Sequence, residues 1–144
     1  MNDPARCVFD TNVLISGLIF ENSKPGRAFR HTLNNGQVLL SRQVLEELNE
    51  VLTREKFQHY VSEEDREEFL NLFVERAKFI TPTEHIQVCR DPKDDKFLEL
   101  AISGNAKYII SGDHDLLTLH PFREIEIITV DEFLIQVENS APDT

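Results

Sequence analysis

The chain has no tryptophan, one methionine, two cysteines and five glycines among its 144 residues. Cys7 and Cys89 are too few and too far apart for a disulfide framework or a zinc pattern. Both lie in apolar runs and read as reduced, buried thiols. The glycines stand singly at turns, which excludes a phosphate-cradling glycine loop. No apolar run approaches the roughly 18 residues that a membrane span needs. Met1-Asn2-Asp3-Pro4 shows neither the basic n-region nor the apolar stretch of a secretion signal. These absences predict a soluble, cytoplasmic protein with no membrane association. Positive charge is scarce too: 15 Lys and Arg against 26 Asp and Glu leave a formal net charge of −11. That balance excludes a broad basic face, the usual footprint of a nucleic-acid binder. An acidic chain can still cut nucleic acid where its carboxylates gather around a metal ion.

An apolar fraction of 40% with ten Phe is enough for a packed core. The length suits one domain, expected over 1–139, with 140–144 as a frayed tail. Short apolar runs alternate with segments of helical period, the pattern of an α/β protein with a parallel sheet. Strands are expected at Arg6–Phe9, Gln37–Leu40, Lys107–Ser111 and Glu124–Thr129, with strand pieces at Phe79–Thr81 and His85–Cys89. Helices are expected over Val13–Phe20 and Arg27–Leu33, and from the Ser41 cap along Val44, Leu45, Leu48, Val51 and Leu52. Others should run from Ser62 through Phe69, Leu70, Leu72, Phe73 and Ala77, from Asp91-Pro92 to Ser103, and over Val130–Val137.

The acids matter for where they fall. Open parallel sheets bind ligands outside the carboxyl ends of their strands. Asp10 ends the first strand and Asp113 follows the Lys107–Ser111 strand. Glu47 lies in the helix after the second strand. Asp94 lies in the first turn of a helix, where the dipole favours a carboxylate. Four carboxylates from four segments can thus meet at one edge. Unpaired, they repel and drive protonation. Mg2+ or Mn2+, which prefer oxygen ligands, removes the conflict and can polarise a phosphodiester. The plainer alternative is that these are surface acids, with Asp91, Asp94 and Asp95 serving only a helix N-terminus.

Val8-Phe9-Asp10-Thr11-Asn12-Val13-Leu14 resembles the opening signature of the PIN domain family, in particular its VapC-like toxins of toxin–antitoxin systems. Ser41–Leu48 is similar to the family's Ser…Glu-Leu segment, and Asp94–Ala101 to its third block. Tyr108–Leu117, with Ser111-Gly112-Asp113-His114-Asp115, is similar to its fourth. The likeness runs from Cys7 to about Phe133. It implies a three-layer α/β/α sandwich around a central parallel sheet and a Mg2+- or Mn2+-dependent endoribonuclease site. Carried over by position, the catalytic and metal-holding acids are Asp10, Glu47, Asp94 and Asp113. Asn12 and Ser111 are accessory groups. Glu46 competes with Glu47 and Asp95 with Asp94, while Asp115 is a further candidate ligand. The implied partners are an RNA substrate, a cognate antitoxin and a second copy in a homodimer.

Lys24, Arg27 and Arg30, with His31, bunch after the first helix and are candidate contacts to RNA phosphates or else a solvated helix face. His114 reads as a solvent-facing residue with a proton-transfer role as the lesser alternative. Phe69 and Phe73, beside Glu67, Glu68 and Glu75, read as core or partner surface rather than a base-stacking platform. Other function classes remain open on sequence: a non-catalytic PIN-like RNA- or protein-binding module, and an Asp/Mg2+ phosphotransfer protein. Against the latter, a dehalogenase-type phosphatase needs Asp where Asn12 stands. A receiver domain needs an acid pair where Asp10 stands alone.

Overall fold

The computed structural model describes residues 5–140, so the expected tail beyond Ser140 lies outside the described residues. In chain order the elements are β1 (Arg6–Phe9), α1 (Thr11–Ile19), α2 (Lys24–Asn35), β2 (Gln37–Leu40), α3 (Arg42–Leu52), α4 (Glu55–Gln58) and α5 (Glu63–Arg76). There follow β3 (Lys78–Phe79), a 3-10 turn at Pro92–Asp94, α6 (Asp95–Ser103), β4 (Tyr108–Ile110), α7 (His114–Leu117), β5 (Glu126–Ile128) and α8 (Val130–Ser140). All strand pairings in the order β3-β2-β1-β4-β5 are parallel. Helices cover both faces of this sheet in a three-layer α/β/α sandwich. No described helix is long and apolar enough to cross a membrane.

The register follows from burial. Val8, Phe9, Leu40, Ile109 and Ile110 are almost wholly buried, as expected of strands covered on both faces. On one face, Phe9 meets Phe29 of α2 and Phe133 of α8 edge to face, with ring centroids 5.6 and 6.5 Å apart. Phe73 of α5 extends the cluster to Phe29 at 5.4 Å. On the other, α6 packs across β1, β2 and β4 through Phe97, Leu98 and Ala101. β1 is central because the chain moves outward from it to β2 and β3, then returns through α6 to place β4 on its other side. That reversal opens a crevice at the carboxyl ends of β1 and β4.

Several expectations need correction. His85–Cys89 forms no strand. The Ile86 N–H goes to the Glu99 carboxylate, and those of Val88 and Cys89 go to Asp95, so no ladder partner is needed. The third strand is Lys78–Phe79 rather than Phe79–Thr81. Leu72 is exposed on α5, where Phe73 is the buried residue. Cys89 is half-buried, not buried. The final helix of the acid block begins at Asp95, after the 3-10 turn, rather than at Asp91. α7 was not expected at all. α1 starts at Thr11, because the Asp10 side chain accepts the Val13 N–H at 2.9 Å and caps it.

Candidate active site

β1 and β4 run side by side, with Phe9 opposite Ile110, and the Asp10 N–H continues the ladder onto the Ile110 carbonyl at 3.1 Å. This pairing delivers Asp10 and Ser111 to the same sheet edge. Asp10 is only 5% exposed. One of its oxygens caps α1 and the other accepts the Ser111 hydroxyl. Ser111 Oγ in turn accepts the Asp113 N–H at 2.9 Å. One serine therefore fixes the carboxylate of β1 and the backbone that carries Asp113.

Asp10, Asn12, Glu47, Asp94, Ser111 and Asp113 all line one cleft of about 860 Å³. Asp95 does not. It is buried, and its Oδ1 accepts the N–H groups of Val88 at 3.2 Å and Cys89 at 2.8 Å, which shapes the loop before α6. Burial pushes its pKa up, but the hydrogen bonds from Cys89 and Val88, together with the nearby His85, outweigh burial and hold it below its ordinary value. Glu46 points to solvent and pairs with Arg42 at 2.8 Å. Asp115 is half-buried in α7, and neither it nor His114, Arg27 or Arg30 lines the cleft. Arg27 pairs with Glu138 at 3.2 Å. Lys24 alone of the expected basic contacts lies in the wall.

The electrostatics of the cleft are those of crowded acids. Burial pushes the Asp10 carboxyl above its ordinary value, and Asp113 adds to the shift. Asp94 is pushed up to about 6, first by burial and then by Asp113, Asp91 and Glu47. Asp113 Oδ2 is buried without a hydrogen-bond partner. An orphaned lone pair costs stability unless something fills it. The facing groups are all hard oxygen donors, the set that suits Mg2+ or Mn2+ rather than a thiophilic metal. Among the described residues, no three Asp, Glu, His or Cys side chains are already gathered closely enough to hold one ion.

Two residues that grip Glu47 carried no assignment from sequence. Thr11 donates its hydroxyl to Glu47. Lys96 pairs with the other Glu47 oxygen at 3.2 Å, both side chains being largely shielded. Thr11 stood inside the Asp-Thr-Asn signature. Lys96 follows Asp94 by two positions on a helix start, so its return towards α3 shows only in three dimensions. Arg54, Lys56 and Lys93 were also missed; with Lys24 they ring the same cleft. Both thiols are inert candidates, pushed up to about 12 chiefly by burial.

A five-stranded parallel sheet in an α/β/α sandwich, with acids at the carboxyl ends of two adjacent strands, defines the class by architecture as a PIN-type domain. The sequence matches the PIN domain model over residues 6–115, and the chain belongs to the PIN domain family. It is 34% identical over 119 residues to the uncharacterized protein MJ1680 of Methanocaldococcus jannaschii, covering 79% of this chain and 74% of that protein. Its fold is similar to PAE2754 from Pyrobaculum aerophilum, with a TM-score of 0.63 at 14% identity over 94% and 90% of the two chains. It is also similar to VapBC2 from Rickettsia felis bound to a promoter DNA fragment, with a TM-score of 0.59 at 13% identity over 86% and 98%. VapBC-1 from nontypeable Haemophilus influenzae gives 0.56 at 15% identity over 88% and 98%. At these identities the structural likeness is one of fold.

Proposed function

We propose that the chain is a Mg2+- or Mn2+-dependent endoribonuclease, formed by one PIN domain over 1–139 and acting as a toxin restrained by a separate antitoxin. The observation that carries this reading is the placing of Asp10, Glu47, Asp94 and Asp113 along one cleft, with an orphaned oxygen on Asp113 and the Asp94 carboxyl pushed up to about 6. These residues would hold the cation, which when bound supplies Lewis-acid polarisation of the scissile phosphate and an activated water.

The chain's own groups do the rest. Ser111 and the Val13 N–H fix both Asp10 oxygens, and Thr11 orients Glu47. Lys24, Arg54, Lys56 and Lys93 supply phosphate contacts at the rim, a local basic ring within a chain of net charge −11. The homodimer and antitoxin extend the family resemblance to this chain.

Cleavage of a single-stranded RNA in Mn2+ tests the reading. Activity should vanish in chelator and fall by at least about 100-fold in Asp10→Asn and Asp94→Asn. Metal-independent cleavage, or full activity in both variants, defeats it. One observation favours a non-catalytic binding module: Lys96 already neutralises Glu47. RNA binding without Mn2+ uptake in calorimetry would establish that alternative.

A further inference from the structure

Phe20 and Tyr60 keep 56% and 65% of their surface in solvent, yet their rings touch edge to face with centroids 6.3 Å apart. Their backbones are fixed. The Phe20 N–H donates to Ser16 at 2.9 Å and its carbonyl accepts the Ser23 N–H at 2.9 Å. From behind, α2 presses on this turn so closely that a Cβ at Gly26 would run into the carbonyl oxygens of Phe20 and Glu21. Tyr60 and Val61 both donate to the Phe57 carbonyl at 3.0 Å. Exposed rings on a fixed backbone lose little entropy when they bind something.

The pair stands beside the cleft. Ser16, one turn before Phe20, and Phe57, one turn before Tyr60, both line it. The same cleft is lined by Lys24, Arg54 and Lys56. Lys24 is tied to Asp131 at 3.0 Å and Arg54 to Glu50 at 3.2 Å, but every side chain in these pairs is more than half exposed. Such pairs contribute little and exchange readily for a phosphate. Lys56 lies over the Phe57 ring at 5.0 Å. The exposed Leu72 and Val74 of α5 offer no such setting, since Glu67, Glu68 and Glu75 flank them.

We propose that Phe20 and Tyr60 form a stacking lip for an unpaired base of single-stranded RNA, whose phosphates cross Lys24, Arg54 and Lys56 towards the carboxylates. This deepens the nuclease reading and rests on it. Aromatic faces accept any base, so the lip selects strand form rather than sequence. Duplex bases, already stacked, cannot reach it.

The test is fluorescence anisotropy of a labelled single-stranded oligoribonucleotide with the full chain in chelator, so that binding is read without cleavage. Phe20→Ala and Tyr60→Ala should each weaken binding by about tenfold or more. Tyr60→Phe should retain it, and duplex RNA should bind no better to wild type than to either alanine variant. Melting curves establish that each variant is folded. Unchanged affinity in both alanine variants overturns the lip, as does equal loss for single strand and duplex. Loss of self-association in sedimentation without loss of RNA affinity also overturns it, marking the rings as a protein contact. If the lip alone fails, wild type still cleaves in Mn2+. If the nuclease reading fails, wild type does not cleave in Mn2+, whether or not it binds the oligoribonucleotide in chelator.

Discussion

Replacing Lys96 by methionine keeps the aliphatic stem and removes the ammonium facing Glu47. At the 3.2 Å separation, Coulomb's law gives about 5 kcal/mol for an effective dielectric near 20 and about 1.3 kcal/mol for bulk water. The side chains keep 16% and 23% of their surface exposed. Screening therefore pulls the value towards the lower limit, to about 2 kcal/mol. For a chain of this size that lowers the melting temperature in chelator by roughly 6 °C. Millimolar Mn2+ should recover at least half of the loss, because a cation held by Glu47 takes over the neutralising charge. Arg42→Met is the control. Its pairing with Glu46 is exposed at 82% and 64%, is worth about 0.5 kcal/mol at most, and should ignore the metal. The assay is a set of melting curves for wild type and both variants, each in chelator and in Mn2+. If Lys96→Met loses the same stability in both buffers, Glu47 holds no cation. If Arg42→Met responds to Mn2+ instead, the ligand is Glu46.

Asp10→Asn removes one charge from the crowded edge. It should raise the melting temperature in chelator while abolishing most of the Mn2+ shift and the cleavage; an undiminished shift counts against Asp10. Asp94, held at about 6 against an ordinary 3.8, keeps a proton that the unfolded chain releases. Its contribution to metal-free stability is therefore fullest below about 3.8 and is lost as pH rises through about 6. Between about pH 4.5 and about pH 7, wild type in chelator should lose about 1 kcal/mol relative to Asp94→Asn, after allowance for solvent screening. Parallel pH curves for the two proteins would show that Asp94 is not perturbed. Asp95→Ala strands the N–H groups of Val88 and Cys89 and should cost about 2 kcal/mol, with the Mn2+ shift intact. Loss of that shift at unchanged stability would make Asp95 the ligand in place of Asp94.

The strands at Arg6, Gln37 and Tyr108 were legible because each is a short apolar run bounded by a turn former or an acid, and burial on both faces leaves little ambiguity. Asp10 and Asp113 were legible for the same reason, since a carboxylate directly after a buried run marks a strand's end. The segment 85–89 misled because Ile86 packs into the core while the N–H groups of Ile86, Val88 and Cys89 are taken by the Glu99 and Asp95 side chains, partners that no local pattern announces. Asp94 and Asp95 look alike as letters. Only the position of α6 shows that one faces the cleft and the other faces inward. Lys96 and Thr11 were hidden because each acts on Glu47 from a distant part of the chain, 49 and 36 positions away.

The Ser111 to Asp10 hydrogen bond spans 101 positions, and β1 lies between a strand made early and one made late. On the ribosome, where chains grow at roughly 5–20 residues per second and fold from the N-terminus, β1 can pair first with β2 alone. During the several seconds that separate the two halves of the centre, Asp10 has no serine to hold it and no Asp113 beside it. A nascent or prematurely terminated chain that lacks β4 consequently carries Asp10 and Glu47 without the Ser111 bridge or Asp113, an incomplete centre. The carboxylate centre thus closes only after β4 has been made, so whatever chemistry it performs is withheld until that stage of synthesis.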